Sequence, residues 1–218
     1  MKGKHEICTM QILLIAATEK EIEPFTATNP AVDFLITGVG VPKTLYHLQK
    51  RLHQIEYDFI IQAGIAGSFN TNIKLAQTVI VRQDCFADLG IEEKENYTPV
   101  FKTEFADKDG FPFENGWLIN LNDYLLTTNL QTVKAITVNK VSDSELQKQQ
   151  FVKAFNADIE TMEGAALHYV CLQENIPFLQ IRSVSNYIGE RDKKKWKLKE
   201  AIENLNTALS KLINQLTD

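Results

Sequence analysis

Two short segments of the sequence combine residue types that could bind a sugar. Met162-Glu163-Gly164-Ala165-Ala166 places one carboxylate before three small residues, and Arg182-Ser183-Val184-Ser185-Asn186 follows later in the chain. The small residues would let the start of a helix lie close to neighbouring backbone, while the oxygens of Glu163 could accept hydrogen bonds from a vicinal diol such as that of ribose. An ordinary carboxylate that complements the helix dipole would give the same pentapeptide.

Glu21 is the candidate for activating a water molecule. Cleavage of an N-glycosidic bond needs a group that deprotonates water, a clamp on the sugar hydroxyls and a polar partner for the departing base. Glu21 follows the apolar run Ile12–Ala16, at the carboxyl end of a predicted strand, where α/β sheets place their ligands. Thr18 and Glu21 also have the spacing of a helix capping box, which would make the glutamate structural.

Two polar residues on one later apolar run could assist the reaction. Arg182 is a cation inside this run, where it must pair or contact a polar ligand, so it would support Glu21 or form a structural ion pair. Asn186, at the end of the run, has an amide that both donates and accepts hydrogen bonds. That amide suits an oxopurine such as hypoxanthine, although it could instead cap the turn after the strand.

A glycine-rich stretch and a late tryptophan are candidate substrate contacts. Gln62-Ala63-Gly64-Ile65-Ala66-Gly67-Ser68 would let backbone approach a ligand, with Ile65 and Gly67 as the contacts, but a turn without a ligand would look the same. Trp196 would close over a ligand or anchor the last helix. The surrounding run Lys193-Lys194-Lys195-Trp196-Lys197 is predicted to be a solvated face, because nearby acidic residues cancel its field.

Composition limits the class of protein. The chain has 218 residues, 44% of them hydrophobic and 23% charged, and a formal net charge of -5. This suits one domain with a substantial core that binds a small molecule, and it argues against nucleic acid or an anionic membrane as a partner. Cys8, Cys85 and Cys171 form no CxxC pair, so neither a disulfide framework nor a zinc site is predicted. The early apolar run Ile12–Ala17 is too short to span a membrane, and we expect a cytoplasmic protein.

Apolar runs rich in β-branched residues alternate with helical patterns along the chain. The runs predict core strands at Ile12–Ala16, Phe34–Thr37, Asp58–Gln62, Thr78–Arg82, Val133–Val138 and Phe178–Val184. Helices are predicted from Pro42 onward, over Glu145–Phe155, over Met162–Asn175 and at the C-terminal end. The alternation predicts one α/β domain over residues 10–218, after a lead of residues 1–9 that is frayed or precedes an alternative start. The irregular region Asp84–Asn129 is predicted to supply long loops over a pocket.

Five motifs, taken in order, resemble the nucleoside phosphorylase/hydrolase superfamily across almost the whole chain. They are Ala17-x-x-x-Glu21, Gly38-Val39-Gly40, Ala63-Gly64-Ile65-Ala66-Gly67, Met162-Glu163-Gly164-Ala165-Ala166 and Arg182-Ser183-Val184-Ser185-Asn186. The resemblance implies a single-domain, three-layer α/β/α sandwich around a mixed, twisted central sheet. It also implies a homo-oligomer that needs no metal or organic cofactor.

Within this superfamily the chain is most similar to the futalosine hydrolases. The similarity lies in Phe86-Ala87-Asp88-Leu89-Gly90, in Met162-Glu163-Gly164, and in the segment Ser185–Asp192 together with Trp196. It implies hydrolysis of futalosine to hypoxanthine and dehypoxanthinyl futalosine, a step on the route to menaquinone.

The resemblance also implies a role for each candidate residue. Glu21 would activate water with support from Arg182. Glu163 would bind the ribose hydroxyls, with Met162 packed beneath the sugar. Asn186 would face the base.

Two positions depart from the related nucleosidases that cleave methylthioadenosine and S-adenosylhomocysteine, which have an aspartate where Asn186 stands and a glutamate where Thr161 stands. An amide cannot deliver a proton as an acid does, so hydrogen bonding must help the base to leave, which fits an oxopurine better than an aminopurine. The acidic loop Thr18–Glu23 would repel phosphate, which favours water as the nucleophile. An adenine-releasing nucleosidase and a non-catalytic nucleoside-binding protein are the alternatives.

Overall fold

The computed structural model describes residues 10–141 and 144–217. The predicted lead at residues 1–9 lies outside the described residues. Within the described ranges, every helix is too short or too polar to cross a membrane.

The described chain alternates strands and helices, as the sequence predicts. Its strands are β1 (Ile12–Ala16), β2 (Asp33–Ile36), β3 (Phe59–Ser68), β4 (Thr78–Asp84), β5 (Gly90–Glu93), β6 (Asn96–Pro99), β7 (Leu118–Ile119), β8 (Gln131–Thr137), β9 (Ile159–Thr161) and β10 (Phe178–Tyr187). Its α-helices are α1 (Glu19–Thr26), α2 (Val41–Leu52), α3 (Tyr124–Thr127), α4 (Glu145–Phe155), α5 (Gly164–Gln173) and α6 (Leu198–Thr217). Short 3₁₀ helices lie at Val100–Lys102 and Lys193–Lys195.

Eight of these strands form one mixed sheet with the order β10-β4-β8-β9-β3-β1-β2, in which β7 pairs with β4. Strand β10 is parallel to β3 and antiparallel to β4, so the part of the sheet from β10 to β3 closes on itself. Strands β1 and β2 extend the sheet beyond β3, and both pairings there are parallel. Strands β5 and β6 form a separate hairpin.

Helices cover both faces of the sheet, and successive side chains of β1 pack in two different apolar clusters. Leu14 packs in a cluster with Phe25 of α1 and Leu209 of α6. Its neighbour Ile15 packs in the other cluster, which includes residues of α2 and α5 such as Leu48. A strand covered on both sides has apolar residues throughout, which explains the uninterrupted run in the sequence. The predicted single-domain α/β fold with a mixed sheet is confirmed.

Several element boundaries differ from the predicted ones. Strand β3 continues through the glycine-rich stretch to Ser68, beyond the predicted strand end at Gln62, so the alternative interpretation of that stretch as a turn is wrong. Helix α5 begins at Gly164, which leaves Met162 and Glu163 before the helix. Two elements were not predicted, namely helix α1, which contains Pro24, and the three-residue strand β9.

Candidate active site

A cavity of about 370 Å³ lies where the carboxyl ends of β1, β3 and β10 meet the start of α5. It contains every predicted site residue except Arg182, namely Glu21, Ile65, Gly67, Met162, Glu163, Asn186 and Trp196. The fold therefore brings together side chains from three distant parts of the sequence.

Glu21 is held at the cavity wall through both carboxylate oxygens. Oε2 accepts hydrogen bonds from the backbone amide and from the hydroxyl of Thr18, each at 2.9 Å, while Oε1 accepts one from the amide of Ile65 at 3.1 Å. The side chain is 8% exposed. The structural interpretation is thus correct in that Glu21 caps α1, and the same carboxylate borders the cavity. These fixed contacts leave the remaining lone pairs to face a water molecule.

Glu163 is the residue immediately before α5, and its side chain makes no capping hydrogen bond to that helix. Its Oε1 instead accepts a hydrogen bond from the amide of Gly40 at 3.0 Å, in the loop that follows β2. Gly40 has φ 92, a conformation that favours glycine. Burial raises the pKa of Glu163, and the charge of Arg182 opposes this rise. The helix-dipole interpretation does not account for a side chain turned away from its own helix.

Arg182 is 1% exposed and lies behind the cavity wall. One guanidinium nitrogen donates a hydrogen bond to the side-chain carbonyl of Gln62. A Cβ atom added to Gly64 would meet Arg182 Nη1 at 2.1 Å and Glu21 Oε1 at 3.0 Å, so both groups border this glycine. Within the described residues Arg182 forms no ion pair with a carboxylate. The arrangement fits a group that supports Glu21 without touching a ligand.

Asn186 presents an amide whose orientation is fixed by its neighbours. Its Oδ1 accepts a hydrogen bond from the hydroxyl of Ser185 at 2.9 Å, and its Nδ2 donates to the carbonyl of Tyr187 at 3.2 Å. An irregularity in the pairing of β10 with β3 falls between Val184 and Asn186. Nδ2 keeps a second hydrogen and Oδ1 keeps a second lone pair, so Asn186 can offer both a donor and an acceptor to a ligand.

Trp196 contributes to the cavity and also anchors the chain before α6. Its indole nitrogen donates to the carbonyl of Glu190 at 3.0 Å, which fixes the segment between them. The neighbouring lysines are exposed, and two of them pair with carboxylates, Lys195 with Glu190 at 2.6 Å and Lys197 with Glu200 at 2.9 Å. The prediction of a solvated, charge-balanced face is confirmed.

The region Asp84–Asn129 does not line this cavity, so the prediction that it covers the pocket is wrong. Its hairpin packs instead against α4, where Tyr97 contacts Phe151 with ring centroids 5.5 Å apart. Other lining residues were not predicted, among them Lys20, Ser185 and Ile188. Their positions next to Glu21 and Asn186 in the chain are the signal that could have found them.

Comparison with known proteins identifies relatives over most of the chain. The sequence profile of the phosphorylase superfamily matches residues 33–217. A futalosine hydrolase of Thermus thermophilus is 28% identical over 185 residues, which cover 83% of this chain and 80% of the relative. A 5'-methylthioadenosine/S-adenosylhomocysteine nucleosidase of Buchnera aphidicola is 26% identical over 191 residues, which cover 80% of this chain and 71% of the relative.

Solved structures share the fold. A mutant of the 5'-methylthioadenosine nucleosidase MTAN of Helicobacter pylori, with 5'-methylthioadenosine in its active site, superposes with a TM-score of 0.79 at 16% identity, covering 94% of this chain and 99% of that chain. The futalosine hydrolase of the same organism superposes with a TM-score of 0.77 at 15% identity, covering 95% of this chain and 98% of that chain.

Proposed function

This chain belongs to the phosphorylase superfamily, and we propose that it is a nucleosidase that hydrolyses futalosine to hypoxanthine and dehypoxanthinyl futalosine. The observation that carries the proposal is the convergence of Glu21, Glu163 and Asn186 on one cavity, with an amide rather than an acid as the third group. These three groups match what N-glycosidic hydrolysis needs, and the amide selects among purines.

Glu21 takes the proton of the attacking water in this proposal. Its carboxylate is held by Thr18 and Ile65, so it meets the water without first reorganising. The water attacks the anomeric carbon of ribose as the bond to the purine nitrogen breaks and positive charge develops on the sugar. Arg182 acts as a positioning residue, because it borders Glu21 across Gly64 and lies outside the cavity lining.

Glu163 binds the ribose hydroxyls in this proposal, and Met162 packs beneath the sugar. The Gly40 amide holds one oxygen of the carboxylate at 3.0 Å, which leaves the other oxygen for a hydroxyl. Hydrogen bonds to a charged group contribute about 1.5–3 kcal/mol each, so this contact supports both affinity and orientation.

Asn186 recognises the departing base. Hypoxanthine has a carbonyl oxygen and a neighbouring imidazole nitrogen that both accept hydrogen bonds, and the Asn186 amide offers a donor. Adenine has an amino group in place of that carbonyl and gains less from a donor. The amide therefore favours the oxopurine.

Water, rather than phosphate, is the proposed nucleophile. Four carboxylates line the cavity, those of Glu21, Glu160, Glu163 and Glu190. Two cationic side chains line it as well, Lys20 and Arg191. Excess negative charge raises the free energy of a bound phosphate dianion, whereas a neutral water molecule is unaffected.

The acyl end of futalosine carries a carboxylated phenyl ring, and the cavity lining includes residues suited to it. Trp196, Leu198 and Ile202 supply apolar surface to the cavity. Lys20, on the first turn of α1, lines the same cavity and is exposed. We therefore propose that the ring packs on these apolar side chains and that Lys20 binds its carboxylate.

Assembly into a homo-oligomer is a further part of the proposal. Helix α2 exposes Tyr46 to 63%, and the loop before it exposes Val39 to 50%, so apolar surface next to the cavity is open to a second copy. Light scattering coupled to size-exclusion chromatography tests this, and a mass equal to one chain would contradict it.

The substrate is tested by comparing kcat/KM for futalosine, aminodeoxyfutalosine and methylthioadenosine in buffer without phosphate. The proposal expects the highest value for futalosine. Equal or faster release of adenine from either of the other nucleosides would instead assign the chain to the adenine-releasing nucleosidases. Tight binding of all three without turnover would assign it to non-catalytic binding proteins.

A further inference from the structure

The start of α5 is capped in an unusual way. The first amides of any helix lack a partner within the helix, and the residue before the helix commonly accepts from them. Here that residue is Glu163, whose carboxylate bonds to Gly40 instead. The amide of Gly164 donates to Thr161 Oγ1 at 3.2 Å, and the amide of Ala165 donates to Thr137 Oγ1 at 2.8 Å. Two threonines outside the helix therefore do the capping.

The two threonine hydroxyls belong to one buried hydrogen-bond chain. Thr137 donates to Asp84 Oδ1 at 2.9 Å, and the hydroxyl oxygens of Thr137 and Thr161 lie 3.1 Å apart. Since the hydrogen of Thr137 goes to Asp84, Thr161 is the donor between the two hydroxyls. Each hydroxyl then gives its one hydrogen and still accepts from an amide of α5, so the directions are all consistent.

The hydrogen-bond chain ends at the carboxylate of Asp84. Asp84 is fully buried, and its oxygens accept from the amide of Cys85 at 2.8 Å and from the side chain of Gln180 at 3.3 Å. A Cβ atom added to Gly164 would come within 2.2 Å of both Asp84 Oδ2 and Gln180 Nε2. Glycine at this position lets the helix start lie directly on the buried cluster, which fixes where Glu163 stands.

We propose that Thr137 and Thr161 are positioning residues for Glu163, because they cap α5 in its place and so leave its carboxylate free to bind the ribose hydroxyls. The inference rests on the proposed function of the site. Without one of these hydroxyls, an amide of α5 loses its acceptor. Glu163 stands at the position from which a side chain commonly caps a helix, so its carboxylate can replace the missing acceptor. A carboxylate drawn back to the helix no longer meets the sugar.

The test compares kcat/KM for different nucleosides in the wild type and in Thr137→Val. This substitution keeps the shape of the side chain and removes the hydroxyl. Inosine is compared with 2′-deoxyinosine and 3′-deoxyinosine, and the loss of kcat/KM caused by each missing hydroxyl is recorded. In the wild type, removal of the hydroxyl that Glu163 binds is expected to cost about 10- to 100-fold. In Thr137→Val that cost is expected to fall to about threefold or less.

Three controls distinguish positioning from a general loss of structure. Thr137→Ser retains a hydroxyl and is expected to retain the discrimination between inosine and the deoxynucleosides. Thr161→Val is expected to act like Thr137→Val. Thr132→Val changes an exposed threonine on the same strand as Thr137 and is expected to leave the discrimination unchanged. A variant that merely loses stability would lower turnover of all three nucleosides equally. An unchanged discrimination in Thr137→Val therefore overturns the inference.

Binding measurements separate this inference from the proposed function. Calorimetric dissociation constants for the same nucleosides give the same ratios without any turnover. A wild-type chain that binds and discriminates but does not hydrolyse overturns the proposed function, while a collapse of its discrimination in Thr137→Val supports the positioning role. A wild-type chain that does not distinguish inosine from either deoxynucleoside overturns the inference.

Discussion

Glu21 accepts a hydrogen bond from the backbone amide of Ile65, 44 positions later in the chain, at 3.1 Å. This contact joins the first turn of α1 to the middle of β3. It holds one carboxylate oxygen while Thr18 holds the other, so the same residue closes a helix and lines the cavity. A capping role and a catalytic role for Glu21 are therefore compatible.

Glu21→Gln is expected to lower turnover by about 100- to 10,000-fold, because the amide cannot take a proton from water. Ligand binding should persist, since the glutamine oxygen can still accept from Thr18. Steady-state rates and the dissociation constant of an unreactive nucleoside analogue measure the two effects. Glu23→Gln, at an exposed position of the same helix, is the matched control. Undiminished turnover in Glu21→Gln would remove this residue from the mechanism.

Asn186→Asp is expected to shift base preference toward adenine nucleosides, because a protonated aspartate can deliver a proton to the base and an ionised one accepts from an amino group. The ratio of kcat/KM for adenine and hypoxanthine nucleosides should rise about tenfold or more. Asn175→Asp makes the same charge change at an exposed position away from the cavity. An unchanged ratio in Asn186→Asp would show that other residues set base choice.

Lys20→Gln is expected to raise KM for futalosine about 5- to 10-fold, because an exposed ammonium group contributes modestly to binding a carboxylate. Inosine lacks that carboxylate, so its KM should not change. Lys153→Gln removes the same charge from an exposed position on α4 and should affect neither substrate. An equal rise in KM for both nucleosides in Lys20→Gln would show that Lys20 does not bind the carboxylate of the acyl end.

Asp84 is expected to make stability depend on pH. Burial raises its pKa to about 7, so between about pH 4 and pH 7 the folded chain holds a proton that the unfolded chain has released. The free energy of unfolding therefore falls as pH rises through this window. Asp84→Asn carries no such proton, and its stability relative to the wild type should rise from pH 4 to pH 8 by roughly 3 to 4 kcal/mol.

Urea denaturation of both proteins at several pH values measures this difference. His168 has the opposite effect on stability in both proteins, because burial lowers its pKa to about 4. As pH falls below about 6.5, the unfolded chain protonates this histidine before the folded chain does, so the free energy of unfolding falls. This effect is common to both proteins and cancels in the comparison. A stability difference that stays constant with pH would show that Asp84 is ionised throughout.

The sequence predicts strand β1 with the bounds that the structure gives, Ile12–Ala16, because its apolar run is uninterrupted and buried. Helix α4 is also predicted with its observed bounds, Glu145–Phe155, because Ser144 caps its start. Strand β9 is three residues long and has no such run. Helix α1 was missed because Pro24 lies beyond its first turn, where proline is disfavoured, and because its acidic residues hide a helical pattern.

The grouping of cavity residues near the carboxyl ends of long strands could be predicted, since parallel strands bring their carboxyl ends to one edge of a sheet. Glu21 and Asn186 belong to this group. The capping of α5 by Thr137 could not be predicted, because it depends on the pairing of β8 with β9, two elements joined through tertiary contacts. The sequence also could not show which loops cover the cavity, since the predicted region Asp84–Asn129 does not line it.

Incubation of the wild-type chain with futalosine in buffer without phosphate, followed by chromatography of the products, tests directly whether the chain hydrolyses this nucleoside. We expect free hypoxanthine in equal amounts with dehypoxanthinyl futalosine, at a rate that added phosphate does not increase. Failure to release hypoxanthine, or release only when phosphate is added, would contradict the proposed hydrolysis.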